Sequence, residues 1–91
     1  MGPSPPPRDA EERFRQLYNA TYVDLLLFVR RRVHHTHAED VVGEVMLVAW
    51  RRLDDVPLDL SDARAWLFGV ARKTLQNARR ATSARTQLPY A

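Results

Sequence analysis

The stretch Ala38–Arg52, AEDVVGEVMLVAWRR, decides the fold because it divides into two faces on a helix that turns about 100° per residue. One face is a core stripe made of Ala38, Val42, Val45, Met46, Ala49 and Leu53. The opposite face carries Asp40, Gly43, Glu44, Leu47 and Arg51. A solvated face needs neither an exposed leucine nor a glycine that weakens the helix. The stretch therefore predicts a helix that docks on another protein, with a plain charged surface as the alternative.

Composition limits the chain to one small domain. With 91 residues, 45% of them hydrophobic, it can bury a modest core. The absence of cysteine excludes disulfides and thiolate metal sites. No segment resembles a signal peptide or is long and apolar enough to cross a membrane. We therefore expect a cytoplasmic protein without membrane insertion.

Charge is distributed unevenly along the chain. Residues 1–60 carry 8 arginines and 10 acidic residues, a net charge of −2. Residues 61–91 carry 6 basic residues and 1 acidic residue, a net charge of +5, and the two parts sum to the overall +3. A basic C-terminal third favours a polyanionic partner for that part of the chain. A solvated arginine-rich helix is the alternative interpretation.

Hydrophobic periodicity predicts three helices, near residues 10–33, 37–53 and 61–84, and no strand. Thr36 and Glu39 have the spacing of a capping box at the start of the second helix, and Ser61 or Asp62 would cap the third. We expect residues 1–9 to form a disordered proline-rich leader and residues 10–84 to form the domain. The fold class predicted is an all-α three-helix bundle.

The third helix carries the residues best suited to bind nucleic acid. Lys73, Gln76 and Arg80 are spaced i, i+3 and i+7 and so form one ridge, while Arg72 and Arg79 form a parallel ridge. Lysine and arginine neutralise phosphates, and glutamine hydrogen-bonds base edges. An apolar loop precedes this helix, and Trp66 lies near its start, where it could stack on an unpaired base. The alternative is that most of the Trp66 ring belongs to the core.

Catalytic and metal-binding patterns are poorly represented. The chain has no glycine-rich phosphate loop, no cysteine and no nucleophile elbow. His34, His35 and His37 fall in a predicted loop and lack a further ligand type, so we predict no metal site there. We expect neither enzymatic activity nor a cofactor.

Three segments together resemble region 2 of a sigma factor of the extracytoplasmic-function group, within the sigma-70 family. They are FRQLYNATYVDLLLFVRRRV, AEDVVGEVMLVAWRRL and ARAWLFGVARKTLQNARR, which resemble the first, second and third helices of that domain. The resemblance spans roughly residues 11–84. It implies a domain that binds core RNA polymerase and recognises and melts the promoter minus-ten element.

The resemblance also implies a role for each exposed surface. The clamp coiled coil of the largest polymerase subunit would bind the second helix through Asp40, Gly43, Glu44, Leu47 and Arg51. The loop and the third helix would bind the non-template strand, with one flipped base in the loop. The DNA-binding positions implied are Asp55, Val56, Pro57, Leu58, Trp66, Lys73, Gln76, Asn77 and Arg80.

Some positions depart from the family pattern. Gly43 stands where the family usually has glutamine, and Met46 replaces a common phenylalanine. Gly69 and Lys73 replace a frequent arginine and asparagine, and Pro57 alters the base-capturing loop. These departures leave the promoter sequence undetermined, and the sequence identifies neither a signal nor an anti-sigma factor, the further partner that the family allows.

Two other functions stay open at this point: a helical DNA-binding regulator domain of another kind, and a purely protein-binding helical module. A complete sigma factor would have a second helical domain that recognises the minus-thirty-five element. We expect residues 85–91 to begin the linker to such a domain.

Overall fold

Three helices make up the part of the chain that the structure describes. The structure is a computed structural model, which describes the backbone of residues 7–87 and the side chains of residues 9–80. Helix α1 spans Pro7–Arg30, α2 spans His35–Arg51 and α3 spans Leu60–Gln87, and a short 3₁₀ turn occupies Leu53–Asp55. Each helix packs against the other two. Residues 7–87 contain no strand, so the all-α prediction is confirmed.

Helix α1 ends earlier than predicted. The helix ends at Arg30 instead of residue 33, and in the turn after it the backbone N–H groups of Arg32 and Val33 both donate to the carbonyl of Val29, at 2.9 and 3.0 Å. At the other end α1 begins at Pro7, where a proline is tolerated because the first helical N–H has no partner within the helix. The predicted leader therefore overlaps the first turn, and its residues 1–6 lie outside the described part.

Both predicted helix caps are wrong by a few residues. The N-cap of α2 is His34, whose Nδ1 accepts the N–H of Thr36 at 3.3 Å, so Thr36 already lies inside the helix. Helix α3 begins at Leu60, and the Asp59 carboxylate accepts the N–H of Asp62 at 3.0 Å. An N-cap side chain bonds the N–H two or three residues on, and these two bonds have that spacing.

The core is a single cluster between the three helices. The predicted core stripe of α2 is confirmed, because all six of its residues are buried. Helix α1 adds Leu17, Leu25 and Val29, and α3 adds a stripe of Ala63, Leu67, Ala71 and Leu75. Thr21 is also buried, and its hydroxyl donates to the Leu17 carbonyl at 2.8 Å. None of the helices in residues 7–87 combines the length and hydrophobicity of a membrane span.

Two aromatic pairs fix α1 against its neighbours, one near each end. Phe14 meets Trp50 of α2 edge to face, with ring centroids 5.4 Å apart. Phe28 meets Phe68 of α3 in the same manner at 5.0 Å. Such pairs contribute about 0.5–1.5 kcal/mol beyond the area they bury. Helix α1 therefore contacts α2 near its own N-terminal end and α3 near its own C-terminal end.

Candidate nucleic-acid interface

The loop between α2 and α3 is partly anchored in the core and partly open. Its 3₁₀ turn is closed by bonds from the N–H of Asp55 to the Arg52 carbonyl, at 2.8 Å, and from the N–H of Val56 to the Leu53 carbonyl, at 3.1 Å. The Val56 side chain is buried in the core, whereas Leu58 is 87% exposed. Among the apolar loop positions that the resemblance assigns to DNA binding, Leu58 is therefore available to a ligand and Val56 is not.

Arg13 of α1 holds this loop in place. Its guanidinium donates to the carbonyl of Leu53 at 2.8 Å and to that of Val56 at 2.5 Å, with a longer contact of 3.5 Å to Pro57. The Leu53 carbonyl also accepts the N–H of Val56 within the 3₁₀ turn, so Arg13 adds a second bond to that carbonyl. A planar fork of N–H donors can bond two carbonyls at once without deprotonation. Arg13 thus couples the position of the loop to α1.

Sequence reasoning missed Arg13, although the sequence holds a signal for it. Arg13, Leu17 and Thr21 are spaced i, i+4 and i+8, so they lie on one face of α1. Leu17 and Thr21 are buried, and this arginine therefore points toward the interior. A charged side chain on a core stripe requires hydrogen-bond partners.

Arg52 joins the other side of the loop to α3. Its Nε donates to the Asp55 carboxylate at 3.1 Å, and its guanidinium lies 5.5 Å from the centroid of the Trp66 ring. Trp66 is partly buried and packs against the core, which confirms that much of its ring is structural. Asp55, a predicted DNA-binding position, is neutralised by Arg52, which reduces the repulsion that a free carboxylate would exert on phosphates.

A small cavity lies behind the loop. It has a volume of about 70 Å³ and is lined by Arg13, Gln16, Leu17, Val56, Pro57, Leu58, Leu60 and Ala63. Sites for small organic ligands usually have about 300–1,000 Å³. The cavity is therefore smaller than such sites, and two of its lining side chains, Leu58 and Leu60, are exposed.

The predicted ridge on α3 is exposed as expected. Lys73, Gln76, Asn77 and Arg80 all face solvent, as do the parallel arginines Arg72 and Arg79. The buried stripe on the other side of α3 reaches Leu75, and the neighbouring Thr74 is also buried. Helix α3 therefore has a firm core face over its first half and a basic face along residues 72–80.

The predicted docking face of α2 is also exposed. Asp40, Glu44, Leu47 and Arg51 follow i, i+4, i+7 and i+11 spacing, a row about 16 Å long. Leu47 is 45% exposed. A Cβ added to Gly43 would meet nothing within 4 Å, so packing does not require a glycine at this position.

Trp50 extends the apolar part of that face, which sequence reasoning did not assign. It lies three residues after Leu47, one turn along the same side of the helix, and is 43% exposed. Beside it runs a groove of about 500 Å³ between α1 and α2, lined by Glu11, Phe14, Arg15, Tyr18 and Trp50. An exposed leucine and tryptophan next to an aromatic groove are typical of a protein-binding surface.

The histidine cluster has a local structural role. The rings of His34 and His35 stack at 4.4 Å, and His34 Nδ1 lies 2.8 Å from the Thr36 hydroxyl. The first histidine therefore caps α2.

Comparison with known proteins identifies the family. Residues 17–85 match the sequence model of Sigma-70 region 2 and so include α2, the loop and most of both long helices. Searches of curated proteins and of solved structures gave no significant match. The match covers well over half of the chain, together with both exposed surfaces. The chain therefore belongs to the Sigma-70 region 2 family.

Proposed function

We propose that this chain is the promoter-binding and polymerase-binding domain of a bacterial extracytoplasmic-function sigma factor, acting in the cytoplasm. At the family level, region 2 of sigma-70 proteins binds core RNA polymerase and takes part in promoter recognition. The observation that carries the finer proposal is that one small bundle exposes two chemically different surfaces. One is an acidic and apolar row on α2, and the other is a basic face on α3 next to an apolar loop.

The α2 row suits a basic coiled-coil partner. Asp40 and Glu44 supply negative charge, and Leu47 with Trp50 supplies apolar area beside it. We assign this surface to the clamp coiled coil of the largest polymerase subunit, with Gly43 and Arg51 at the same contact. An apolar centre with charged residues around it is the usual composition of a specific protein interface.

The loop and α3 suit a melted DNA strand. The basic face of Lys73 and Arg80 would hold phosphates, and Gln76 and Asn77 would bond base edges. An unstacked base would be held at the loop of Asp55, Pro57 and Leu58, with Trp66 at its edge. The buried Val56 would act from behind by fixing the loop in place. Strand melting leaves bases free to stack on such apolar and aromatic side chains.

A binding experiment with two ligands tests the proposal. Wild type should bind the clamp coiled-coil fragment, and separately a single-stranded oligonucleotide of the minus-ten non-template sequence. Glu44→Arg should weaken clamp binding by about 2–5 kcal/mol, since it places a like charge against the partner. It should leave the oligonucleotide affinity and the helix content unchanged, because Glu44 is exposed.

Glu39→Arg is the matched control for this experiment. It makes the same charge change on the same helix. Glu39 lies five residues before Glu44, so its side chain points about 140° away from that of Glu44. Equal clamp affinity for wild type and Glu44→Arg would refute the polymerase assignment. Tight binding to duplex promoter DNA without any clamp affinity would favour a DNA-binding regulator instead. Clamp binding without affinity for any nucleic acid would favour a protein-binding module.

A further inference from the structure

A second basic site lies where the end of α1 approaches α3. It is a cleft of about 210 Å³ lined by Arg32, Arg72, Leu75, Gln76 and Arg79. Arg72, Gln76 and Arg79 are spaced i, i+4 and i+7, so they form one row on α3. Arg32 comes from the turn after α1 and faces this row across the cleft. Three arginines from two separate parts of the chain thus line one concavity.

Phe28 positions two of these arginines. The Arg32 guanidinium lies 3.7 Å from the centroid of the Phe28 ring, and its Nη1 donates to the Phe28 carbonyl at 3.0 Å. The Arg72 guanidinium lies 5.9 Å from the same ring. Stacking on an aromatic ring reduces the rotamer freedom of an arginine while leaving most of its five N–H donors available. The cleft is therefore partly organised before any ligand arrives.

Among the side chains that the structure describes, no carboxylate lines this cleft, so its charge is positive. Within the side chains that the structure describes, the ion pairs of arginine involve Arg15, Arg52 and Arg64, all of them elsewhere on the bundle. Like charges brought together without a counter-ion repel one another, so an anion bound here gains attraction and relieves that repulsion. Arginine forks match the two free oxygens of a phosphodiester.

We propose that Arg32, Arg72 and Arg79 form a backbone-phosphate clamp for the DNA strand, to which the turn after α1 contributes Arg32. This inference rests on the proposed function, since Gln76 belongs both to the cleft and to the ridge assigned to DNA. Trp66 precedes Arg72 and Arg79 by about 9 and 20 Å along the helix axis. The phosphate clamp therefore holds phosphates several nucleotides along the strand from the base held at the loop.

Salt-dependent DNA binding tests the phosphate clamp. The ligand is a fluorescent non-template oligonucleotide that extends about 8 nucleotides on each side of the flipped base, titrated by anisotropy between about 50 and 200 mM salt. Losing one phosphate contact on a single strand lowers the slope of log K against log salt by about 0.7. The affinity loss caused by Arg32→Ala should therefore be about 2.6-fold larger at 50 mM salt than at 200 mM.

Two variants and a shorter ligand make the result specific. Arg31→Ala removes the same charge from the neighbouring residue, which lines a different cavity beside Asp24 and Phe68. It should change the slope much less than Arg32→Ala does. Arg32→Lys keeps the charge and should restore most of the slope. An oligonucleotide cut to about 2 nucleotides on each side of the base should bind Arg32→Ala and wild type equally well.

The outcomes separate this inference from the proposed function. If wild type binds the clamp fragment and the long oligonucleotide but Arg32→Ala retains the wild-type slope, the phosphate clamp is refuted and the function stands. The phosphate clamp is also refuted if the binding of a polyglutamate peptide depends on Arg32 as strongly as the binding of DNA does. Failure of wild type to bind any oligonucleotide refutes both. Helix content by circular dichroism checks that each variant is folded.

Discussion

Replacing Arg13 by alanine should loosen the α2–α3 loop and lower the stability of the whole domain. The side chain makes two good hydrogen bonds, of 2.8 and 2.5 Å, to the carbonyls of Leu53 and Val56. The 3.5 Å contact to Pro57 is at the limit and is not counted. A hydrogen bond from a charged group contributes about 1.5–3 kcal/mol net, which gives about 3–6 kcal/mol for the pair.

Solvent reduces that figure. Both bonds are only partly buried, so water can replace the guanidinium, and the Leu53 carbonyl keeps its bond from the Val56 N–H. Halving the sum leaves a loss of about 1.5–3 kcal/mol in the free energy of unfolding. A domain of this size has about 5–14 kcal/mol in all, so the loss is large enough to measure and leaves the protein folded.

Urea denaturation followed by circular dichroism measures this loss. With a slope of about 1 kcal/mol per molar urea, the midpoint should fall by about 1.5–3 M. Arg15→Ala is the matched control: the side chain is exposed and pairs with Glu12 only at 3.7 Å, so its loss should stay within about 0.5 kcal/mol. Arg13→Lys keeps the charge but loses the fork, and should recover at most about half of the loss.

The same variant tests whether the loop must be held in place to bind DNA. Under conditions where Arg13→Ala is fully folded, its affinity for the minus-ten oligonucleotide should fall while its affinity for the clamp fragment stays at the wild-type level. A midpoint shift of less than about 0.5 M for Arg13→Ala would show that these hydrogen bonds do not stabilise the fold. An unchanged oligonucleotide affinity would show that the loop needs no support from α1.

Three further predictions concern the exposed faces. Gly43→Ala should raise the free energy of unfolding by about 0.8–1 kcal/mol, because the added Cβ meets nothing within 4 Å and alanine favours the helix; a lower urea midpoint would contradict this. Lys73→Ala and Arg80→Ala should each reduce the salt slope of single-strand binding by about 0.7, for all oligonucleotide sequences alike, and unchanged slopes would remove both residues from the phosphate contacts. Leu58→Ser should leave stability within about 0.5 kcal/mol, since the side chain is 87% exposed. It should nevertheless reduce discrimination between minus-ten variants, normally worth about 1–3 kcal/mol per base, and an equal loss for every variant would argue against base recognition by Leu58.

The helix boundaries show where local sequence signals compete. Before α3 the chain offers Asp59, Ser61 and Asp62 as capping residues, and before α2 it offers Thr36, a commoner N-cap residue than histidine. His34 and Asp59 cap the helices because the turns before them place their side chains next to free N–H groups. Propensity alone does not separate such neighbours, whereas the path of the chain between two packed helices does.

The amino-acid sequence by itself determined the helical fold, the core stripe of α2 and the two exposed faces, because helical periodicity assigns each residue to a side of its own helix. It did not determine which residues of different helices meet. The bonds from Arg13 to the loop and the convergence of Arg32 with Arg72 and Arg79 join residues some 40 positions apart. Those contacts depend on how α1 packs across α2 and α3, a geometry that periodicity within one helix does not contain. The tertiary structure alone decided them.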